Sequence, residues 1–292
     1  MENKFVISVL IPVKNEEAYL PQCIESILLQ EYPYFELIIC DNCSSDHTWD
    51  IANNYAIKDS RVKTYRHANE VSPVDNLHKC YELSSGNLIY FHGGDDYIEK
   101  TFFSEAAKHF CSNQDLFAVV PSLSYFDDCD GSVVSTGPPS FFKDYLNMGT
   151  YEFTKFYRHY VHNDELILSI FKREYFSIDK AIERDSLQPI GWWLTLFIFL
   201  KAKNQKKQCL LLEEPFINKR TNCMAKKGSA RKDLKQGSVL HRTLMSVRNS
   251  YYVMIMISAY GIITAIMIFL LLLYSSLRFG CHMRMNMDKY VE

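Results

Sequence analysis

With 292 residues, 48% of them hydrophobic and 23% charged, the chain can bury a large core and is not an intrinsically disordered protein. The formal net charge of −2 hides an asymmetry, because residues 1–200 carry 16 basic and 29 acidic side chains whereas residues 201–248 carry 13 basic and 3 acidic ones. Nine cysteines without regular spacing argue against a disulfide-stapled scaffold and predict reduced thiols in a cytosolic environment. Residues 1–4 lead straight into a strand-like run, so no secretory signal peptide is predicted.

Short apolar runs alternate with helical spacing over the first hundred residues. The predicted strands are Val6–Ile11, Phe35–Cys40, Val62–Tyr65 and Leu88–Phe91. The predicted helices lie in residues 16–30, in Thr48–Tyr55 and in Asp75–Leu83. Strands that alternate with helices predict an α/β fold, a Rossmann-like doubly wound and mostly parallel sheet with right-handed crossovers.

Three polar loops follow these strands and should meet at one edge of the sheet. They are Pro12–Glu17, Asp41–Asp46 and Gly93–Asp96. Open α/β sheets bind ligands outside the carboxyl ends of their strands, so paired acids there suggest a divalent cation that holds a diphosphate. The alternative is ordinary turn chemistry, which also favours Gly and Asp. Cys40 and Cys43 form a C-x-x-C without a second pair nearby, which argues against a zinc or redox site.

Three segments in this order resemble the motifs of family 2 glycosyltransferases of the GT-A fold. They are Val9–Glu16, Ile38–Asp46 and Phe91–Asp96. The similarity extends over about residues 5–125 and continues more loosely to about residue 220. It implies a GT-A domain over residues 1–222, with a nucleotide-binding half in residues 1–100 and an acceptor half in residues 101–222.

The resemblance implies nucleotide-binding roles for the first two loops. Asp41 would hold the base, Asp46 would be a second acid that closes the same loop, and the first loop would contribute Pro12, Val13 and Glu16. A carboxylate at a strand end can accept a hydrogen bond from an imide N–H or a ribose hydroxyl. An Asx turn or a helix cap is the competing explanation for Asp41.

The third loop would hold the metal. The resemblance implies that Asp95 binds Mg²⁺ or Mn²⁺, with Asp96 beside it as a second acid that binds the donor. Gly93 stands where the family has the first acid of its metal motif, and Asp75 stands where the family often has an arginine before Asn76. These two departures leave one acid and one phosphate or base contact unaccounted for.

The second half of the domain is less regular. A helix is predicted over Phe102–Phe110, strands over Leu116–Pro121 and Leu166–Phe171, and a variable loop over residues 127–150. By resemblance, the strand Phe216–Arg220 ends in a basic pair, Lys219 and Arg220, near the diphosphate. A solvated strand end would explain the pair equally well.

Transfer with inversion needs a carboxylate that takes the acceptor's proton. Asp185 and Glu183 are the nearest acids before the aromatic pair Trp192 and Trp193, so they are the candidate bases, with a solvated loop as the alternative. The tryptophans could stack on a sugar or isoprenoid, or pack in the core.

The C-terminal region predicts a membrane attachment. A basic juxtamembrane segment, residues 223–248, precedes a hydrophobic segment, residues 249–278, and a short tail, residues 279–292. Residues 249–277 are 29 consecutive residues without a charged side chain, and this length exceeds the ~20 residues of a bilayer span. The basic excess upstream places the domain on the cytoplasmic face of the membrane. A kinked, re-entrant or interfacial helix and a buried core helix are the alternatives.

These observations predict an enzyme that moves a sugar from a nucleoside-diphosphate donor, UDP-linked by preference, to a lipid-linked or oligosaccharide acceptor in surface glycan assembly. No nucleic acid is expected as a partner. Two other classes stay open. One is a sugar-phosphate nucleotidyltransferase, which the absence of a glycine-rich first loop disfavours. The other is an inactive membrane-tethered scaffold, which the missing acid at Gly93 favours and the acids Asp41, Asp95 and Asp96 disfavour.

Overall fold

The computed structural model describes residues 4–137, 165–176, 198–199, 202 and 205–221. The helices bounded within these ranges are α1 Leu20–Leu28, α2 Thr48–Lys58, α3 Pro73–Leu83 and α4 Phe102–Ser112. Nine described strands form one sheet: β1 Ile7–Val13, β2 Phe35–Asp41, β3 Val62–Arg66, β4 Leu88–Phe91, β5 Tyr97–Ile98, β6 Leu116–Asp127, β7 Val133–Gly137, β8 Ile170–Lys172 and β9 Gln208–Thr221.

The first half of the sheet is parallel, as predicted. Its strands lie in the order β3-β2-β1-β4, and every described pair among them is parallel. β1 and β2 are apolar along almost their whole length and bury nearly every residue, because helices cover both faces of such a sheet. The apolar stripe that predicted α1 is the buried one, with Leu20, Cys23, Ile24 and Ile27 in the core.

The second half is mixed. The order continues β4-β8-β6-β9-β5, in which β8 is antiparallel to both neighbours, β6 and β9 are parallel, and β5 is antiparallel to β9. The long β9 includes Pro215, which has no N–H for a ladder, and the β6–β9 register shifts at its partner Ser122. The α/β class that the GT-A resemblance implied is confirmed, and the parallel pairs lie in the first half and between β6 and β9.

Several predicted boundaries in the second half were wrong, and the strand predicted to end at Pro121 is β6, which runs to Asp127. The strand expected over Leu166–Phe171 is a 3₁₀ turn, Glu165–Leu168, followed by the short β8. A short apolar run does not distinguish a strand from a buried turn, and burial of both satisfies its apolar side chains. The loop expected over residues 127–150 includes β7, which pairs with the end of β6 after a reversal closed by the Asp127 N–H donating to the Ser132 carbonyl at 2.8 Å.

No helix in the described part of the chain is long and apolar enough to cross a bilayer. The hydrophobic segment 249–278, the basic segment 223–248 and the tail 279–292 lie outside the described residues.

The Glu36 carboxylate, near the start of β2, connects this end of the sheet to the segment that leads into β4. Glu36 accepts hydrogen bonds from Ser8 Oγ at 2.7 Å, Ser85 N at 2.5 Å, Gly86 N at 3.0 Å and Lys63 Nζ at 2.7 Å. Burial raises the pKa of Glu36, but these donors outweigh burial and hold the pKa at about 2. Glu36 therefore stays ionised and fixes the connection from α3 to β4.

We predict that Glu36→Gln lowers the free energy of unfolding by about 2–3 kcal/mol near pH 7, because the amide replaces an acceptor with a donor that faces other donors. The folded pKa of about 2 lies below the ordinary value of 4.5, so the ionised group stabilises the fold above pH 4.5. This contribution, about 3 kcal/mol in full, is lost as the pH falls through about 2. Urea unfolding of both proteins at several pH values should show their difference shrinking below pH 4.5.

The matched control is Glu82→Gln, which alters an exposed carboxylate of α3 that pairs with His78 at the surface. We expect a change below about 0.5 kcal/mol there. A Glu36→Gln penalty that stays constant from pH 7 to pH 3 would contradict this account of the Glu36 network.

Candidate functional site

Three parallel strands end side by side at one edge of the sheet. The register places Val13 of β1 opposite Asp41 of β2, and Asp41 opposite Arg66 of β3. Beyond this row, Asn42 N–H donates to the Val13 carbonyl at 2.8 Å, and His67 N–H donates to the Asp41 carbonyl at 3.0 Å. The strand ends therefore bring Val13 and Asp41, two of the predicted nucleotide-binding residues, to the same edge, with Pro12 one residue before Val13.

The first and second loops are joined by hydrogen bonds. Asn15 N–H donates to Ser44 Oγ at 2.9 Å, and Ser45 N–H donates to Asn15 Oδ1 at 2.9 Å. Asn15 has a φ of 56°, a left-handed conformation that asparagine tolerates better than most residues. Glu16 N–H donates to Thr48 Oγ1 at 2.7 Å, which ties the first loop to the start of α2.

Asp46 closes the second loop. Its Oδ1 accepts from the Thr48 N–H at 3.0 Å and from the Thr48 hydroxyl at 2.6 Å, and its Oδ2 accepts from the Glu17 N–H at 3.2 Å. Partial burial raises the pKa of Asp46, but these hydrogen bonds outweigh it and leave the pKa below its ordinary value. The structure gives this carboxylate partners at the start of α2 and in the first loop, and a contact between Asp46 and the sugar donor stays a prediction.

Asp41 is fully buried and has partners within the protein. Its carboxylate accepts from the Ser44 hydroxyl and from the Ser44 N–H at 3.3 Å, which is the Asx-type turn weighed as the alternative from the sequence. Arg66 Nε lies 3.1 Å from Asp41 Oδ2, so the buried charge is paired. Asp41 is thus held at the predicted position, and its contact with a base stays a prediction.

The acidic turn Gly93–Asp96 follows β4 and is held at most of its carbonyl groups. Cys23 Sγ lies 3.4 Å from the Gly93 carbonyl, and Arg220 Nε donates to the Asp95 carbonyl at 2.9 Å. His92 Nε2 lies 3.2 Å from the Asp96 carbonyl. The Arg220 N–H donates to Asp96 Oδ1 at 2.8 Å, so the buried Asp96 carboxylate fixes β9 against the turn. Asp95 is the more exposed acid of the pair.

His92 is a residue that the sequence reasoning missed. Burial lowers its pKa to about 4, so the imidazole is neutral at pH 7. A carbonyl can only accept, so the Asp96 contact requires the proton on Nε2, and Nδ1 then accepts from the Tyr90 hydroxyl at 2.8 Å. His92 thereby connects the core of the sheet to the acidic turn. A histidine directly after an apolar strand was the only signal available in the sequence.

Gly94 places the acidic turn against the first loop. A Cβ at this position would lie 2.8 Å from Val13 Cγ1 and 3.4 Å from Glu16 Cγ. Only glycine lets the two loops approach this closely. Glu16 is therefore next to the acidic turn, and the predicted residues Val13, Glu16, Asp95 and Asp96 belong to one site.

Arg220 is enclosed by protein partners. Besides the Asp95 carbonyl, its guanidinium contacts the Asp128 carboxylate and donates to Gln22 Oε1 at 2.6 Å. Its Cζ lies 4.5 Å from the ring centroid of Tyr19 and 4.9 Å from that of Phe126. The side chain is 8% exposed. Arg220 therefore fastens β9, the end of β6 and α1 around the acidic turn, and a direct contact with a diphosphate stays a prediction.

Two other positions were expected to supply a basic contact, and neither is enclosed by protein partners as Arg220 is. Lys219 is half-buried, and its charge acts to lower the pKa of His92, which places it near the acidic turn. Among the described residues its Nζ makes no hydrogen bond or ion pair. In the first turn of α3, where the family often has an arginine before Asn76, Asp75 forms a helix cap with Ser72, and Asn76 Nδ2 donates to the Cys40 carbonyl at 3.0 Å. The candidate bases Asp185 and Glu183 and the pair Trp192 and Trp193 lie outside the described residues.

The described residues include no group of three or more His, Cys, Asp or Glu side chains arranged to hold a metal ion. Mg²⁺ and Mn²⁺ are often bound by one or two carboxylates together with substrate phosphates and waters, rather than by a complete protein cage. The half-buried Asp95 next to Asp96 fits that kind of site, and both are hard oxygen ligands. Cys40 is buried and Cys43 half-buried, and both are free thiols.

A mixed α/β sheet with acidic loops at the ends of its parallel strands is the arrangement that the GT-A resemblance implied. The family model described as Glycosyl transferase family 2 matches residues 8–177. This range is more than half of the chain, and the chain belongs to that family.

Relatives and solved structures agree with this assignment. The Escherichia coli protein named UDP-Glc:alpha-D-GlcNAc-diphosphoundecaprenol beta-1,3-glucosyltransferase WfaP is 34% identical over 38% of this chain and 43% of its own length. The crystal structure of Staphylococcus aureus TarS in complex with UDP has a TM-score of 0.56 and 17% identity, and the match covers 85% of this chain and 65% of that one. A Pyrobaculum calidifontis mannosyltransferase in complex with GDP-Man and Mn²⁺ has a TM-score of 0.53 and 14% identity over 85% and 64% of the two chains.

At these identities the two structures support the fold alone. The chain spans about half the length of the curated relatives it matches.

We predict that Arg220 and Asp128 are energetically coupled. Arg220→Met leaves a carboxylate that is 11% exposed without its charge partner and should lower the free energy of unfolding by about 3 kcal/mol. Asp128→Asn should also destabilise the protein. The double variant should cost clearly less than the sum, because it leaves no unpaired buried charge. Urea unfolding of the four proteins measures the coupling, and strictly additive costs would contradict the arrangement.

Proposed function

We propose that this chain transfers a sugar from a nucleoside-diphosphate sugar, UDP-linked, to a lipid-linked glycan acceptor in the assembly of a surface polysaccharide. One observation carries the proposal. The acidic turn Gly93–Asp96 lies against the first loop at Gly94, beside the edge where Val13, Asp41 and Arg66 end side by side. The relative named as a glucosyltransferase that uses UDP-Glc and a diphosphoundecaprenol-linked acceptor, and the UDP complex with the same fold, support this choice of donor and acceptor.

The residues at this edge of the sheet would have different roles. The first loop and the Asp41–Asp46 loop would bind the nucleoside, and Asp95, assisted by Asp96, would hold Mg²⁺ or Mn²⁺ at the diphosphate. A bound cation supplies Lewis-acid stabilisation of the charge that develops on the leaving diphosphate. Lys219, half-buried near the turn, can contribute a further positive charge there. Arg220 and His92 keep the turn in place through the Asp95 and Asp96 carbonyls.

The acceptor's proton must leave as the new bond forms. In an inverting transfer one carboxylate takes this proton directly. Asp185 is our candidate for this base and Glu183 the second candidate, on the basis of the sequence alone. Of the variants Asp185→Asn and Glu183→Gln, the one that loses turnover but still binds the sugar donor would identify the base.

The test of this function is donor consumption by the full chain. We expect release of nucleoside diphosphate from at least one UDP-sugar when Mg²⁺ or Mn²⁺ and a bacterial lipid extract are present. Asp95→Asn should reduce this turnover by about 100-fold or more, because the metal contributes several kcal/mol to the transition state. The control Asp115→Asn alters an exposed carboxylate that pairs with Lys207, away from the site, and should leave turnover unchanged.

Other results would lead to other functions. Full activity in excess chelator would remove the metal from the mechanism. Pyrophosphate release from a nucleoside triphosphate and a sugar phosphate would indicate a nucleotidyltransferase. Absence of binding to any nucleoside-diphosphate sugar would favour a scaffold without activity.

We further propose that the chain acts at the cytoplasmic face of the cell membrane. Residues 249–277 are 29 consecutive uncharged residues, and residues 201–248 carry ten more basic than acidic side chains. A hydrophobic segment of this length can span or enter a bilayer, and basic residues next to it attract anionic lipids. An anchored enzyme would meet a lipid-linked acceptor where that acceptor resides.

Membrane fractionation tests the attachment. We expect the full chain to remain with the membranes through a high-salt wash and to be released by detergent. A chain that ends at Asn249 should be released by salt or remain soluble, because it retains the basic segment without the apolar one. Recovery of the full chain in the soluble fraction, without detergent or high salt, would contradict the anchor and the inference that the acceptor is lipid-linked.

A further inference from the structure

The Asp41 carboxylate has its acceptor sites directed into the protein. Asp41 is fully buried, and its oxygens accept from the Ser44 hydroxyl and N–H and face the Arg66 guanidinium. A carboxylate offers about four lone-pair sites, and three donor groups already lie against this one. The remaining site belongs to a side chain that is 0% exposed, so an incoming imide N–H could reach it only if the surrounding residues moved.

Arg66 is the exposed member of the same ion pair. Its side chain is 40% exposed, whereas that of Asp41 is 0% exposed. Nε lies 3.1 Å from Asp41 Oδ2, and one terminal nitrogen, Nη2, donates to the Ser44 carbonyl at 2.8 Å. These contacts orient the planar guanidinium. The other terminal nitrogen, Nη1, makes no hydrogen bond to any residue that the structure describes, and its two N–H groups are available to a ligand.

The position of Arg66 suits contact with a base. It is the last residue of β3, at the carboxyl edge of the parallel half of the sheet, next to Asp41 in the register. Its Cζ lies 5.8 Å from the ring centroid of Trp49, near the start of α2, so an aromatic surface is close by. Asp75, in the first turn of α3, forms a helix cap with Ser72, so no arginine stands at that position. Within the described residues, Arg66 is the guanidinium paired with Asp41.

We propose that Arg66 reads the base of the donor nucleotide, with Asp41 as the positioning residue that orients it, and that the site selects keto bases. This inference rests on the proposed function and deepens it. A guanidinium only donates hydrogen bonds, so its partner must present acceptors. Uracil O4 and guanine O6 are acceptors, whereas the 4-amino group of cytosine and the 6-amino group of adenine are donors that would face the N–H groups of Arg66.

The comparison between UDP and CDP isolates this contact, because the two ligands share ribose and diphosphate and differ only at the edge of the base. Calorimetric titration of the full chain with UDP and with CDP, in the same Mn²⁺ buffer, gives a ratio of affinities. We expect the unchanged protein to bind UDP more tightly. In Arg66→Met this ratio should fall by about 5- to 100-fold, the discrimination that a well-placed arginine–base contact provides. Binding of CDP should change much less.

Two further variants keep the test decisive. Arg66→Lys retains a positive charge beside Asp41, which protects the fold. Lysine lacks the second arm of the guanidinium, so the ratio of UDP to CDP affinity should fall in this variant too. Lys58→Met removes one positive charge from the exposed end of α2 and should leave the ratio unchanged. Thermal unfolding shows which variants are folded, and if Arg66→Met is not, Arg66→Lys decides.

The outcomes separate this inference from the proposed function. If the unchanged protein binds UDP and CDP equally, or if the folded Arg66 variants keep the original ratio, then Arg66 does not read the base. A retained ratio would return that role to Asp41, whose acceptor also distinguishes the imide N–H of uracil from cytosine. If no nucleoside diphosphate binds the unchanged protein, the proposed function itself fails.

Discussion

A buried carboxylate must be paired with hydrogen-bond donors, and much of this sheet is arranged around that requirement. Removing such a charge from water costs several kcal/mol unless donors replace the water. Glu36 is surrounded by two hydroxyl-bearing residues, two backbone amides and Lys63. Asp41 is met by Ser44 and Arg66, and Asp128 by Arg220 and the Tyr19 hydroxyl. In each case at least one donor comes from another strand, so satisfying the charge also fixes the relative positions of those elements.

Hydrogen bonds within the protein also hold the loops of the ligand edge in place. The acidic turn is fixed by Cys23, His92 and Arg220, which come from α1, from the end of β4 and from β9. The first and second loops are joined through Asn15, Glu16 and Asp46. A site whose backbone is already held loses less conformational freedom on binding, so more of the interaction energy remains as affinity. Each of these contacts joins a backbone amide or carbonyl of one loop to a side chain outside that loop, so the backbones of the loops are held in place.

Local patterns in the sequence were sufficient for the parallel half and for the location of the site. The apolar runs of β1, β2 and β4 and the stripe of α1 appear where they were predicted, because each is decided by short-range periodicity. The division between 3₁₀ turn and strand near β8 was not predictable, since both bury the same side chains.

The side-chain partners were less predictable than the elements. Arg220 contacts Gln22 across 198 positions of sequence, and Arg66 meets Asp41 only because β2 and β3 are in one particular register. A sequence motif identifies which acids are present at an edge. It does not identify the donors that occupy their oxygens, since this depends on packing between distant parts of the chain.

Gly93 shows how one missing side chain changes the chemistry expected of its neighbours. A Cβ at this position would lie 2.9 Å from Asp95 Oδ1 and 3.4 Å from Asp96 Oδ2, so both carboxylates fold back over the glycine. An acid at position 93 would require the Asp95 carboxylate to move away from the new Cβ, and it would add a third negative charge beside two others. The departure from the family motif is therefore more than the loss of one ligand. Glycine at position 93 leaves the space that Asp95 Oδ1 occupies. The site of this chain therefore has two adjacent acids, Asp95 and Asp96, whereas the family motif has two acids separated by one residue.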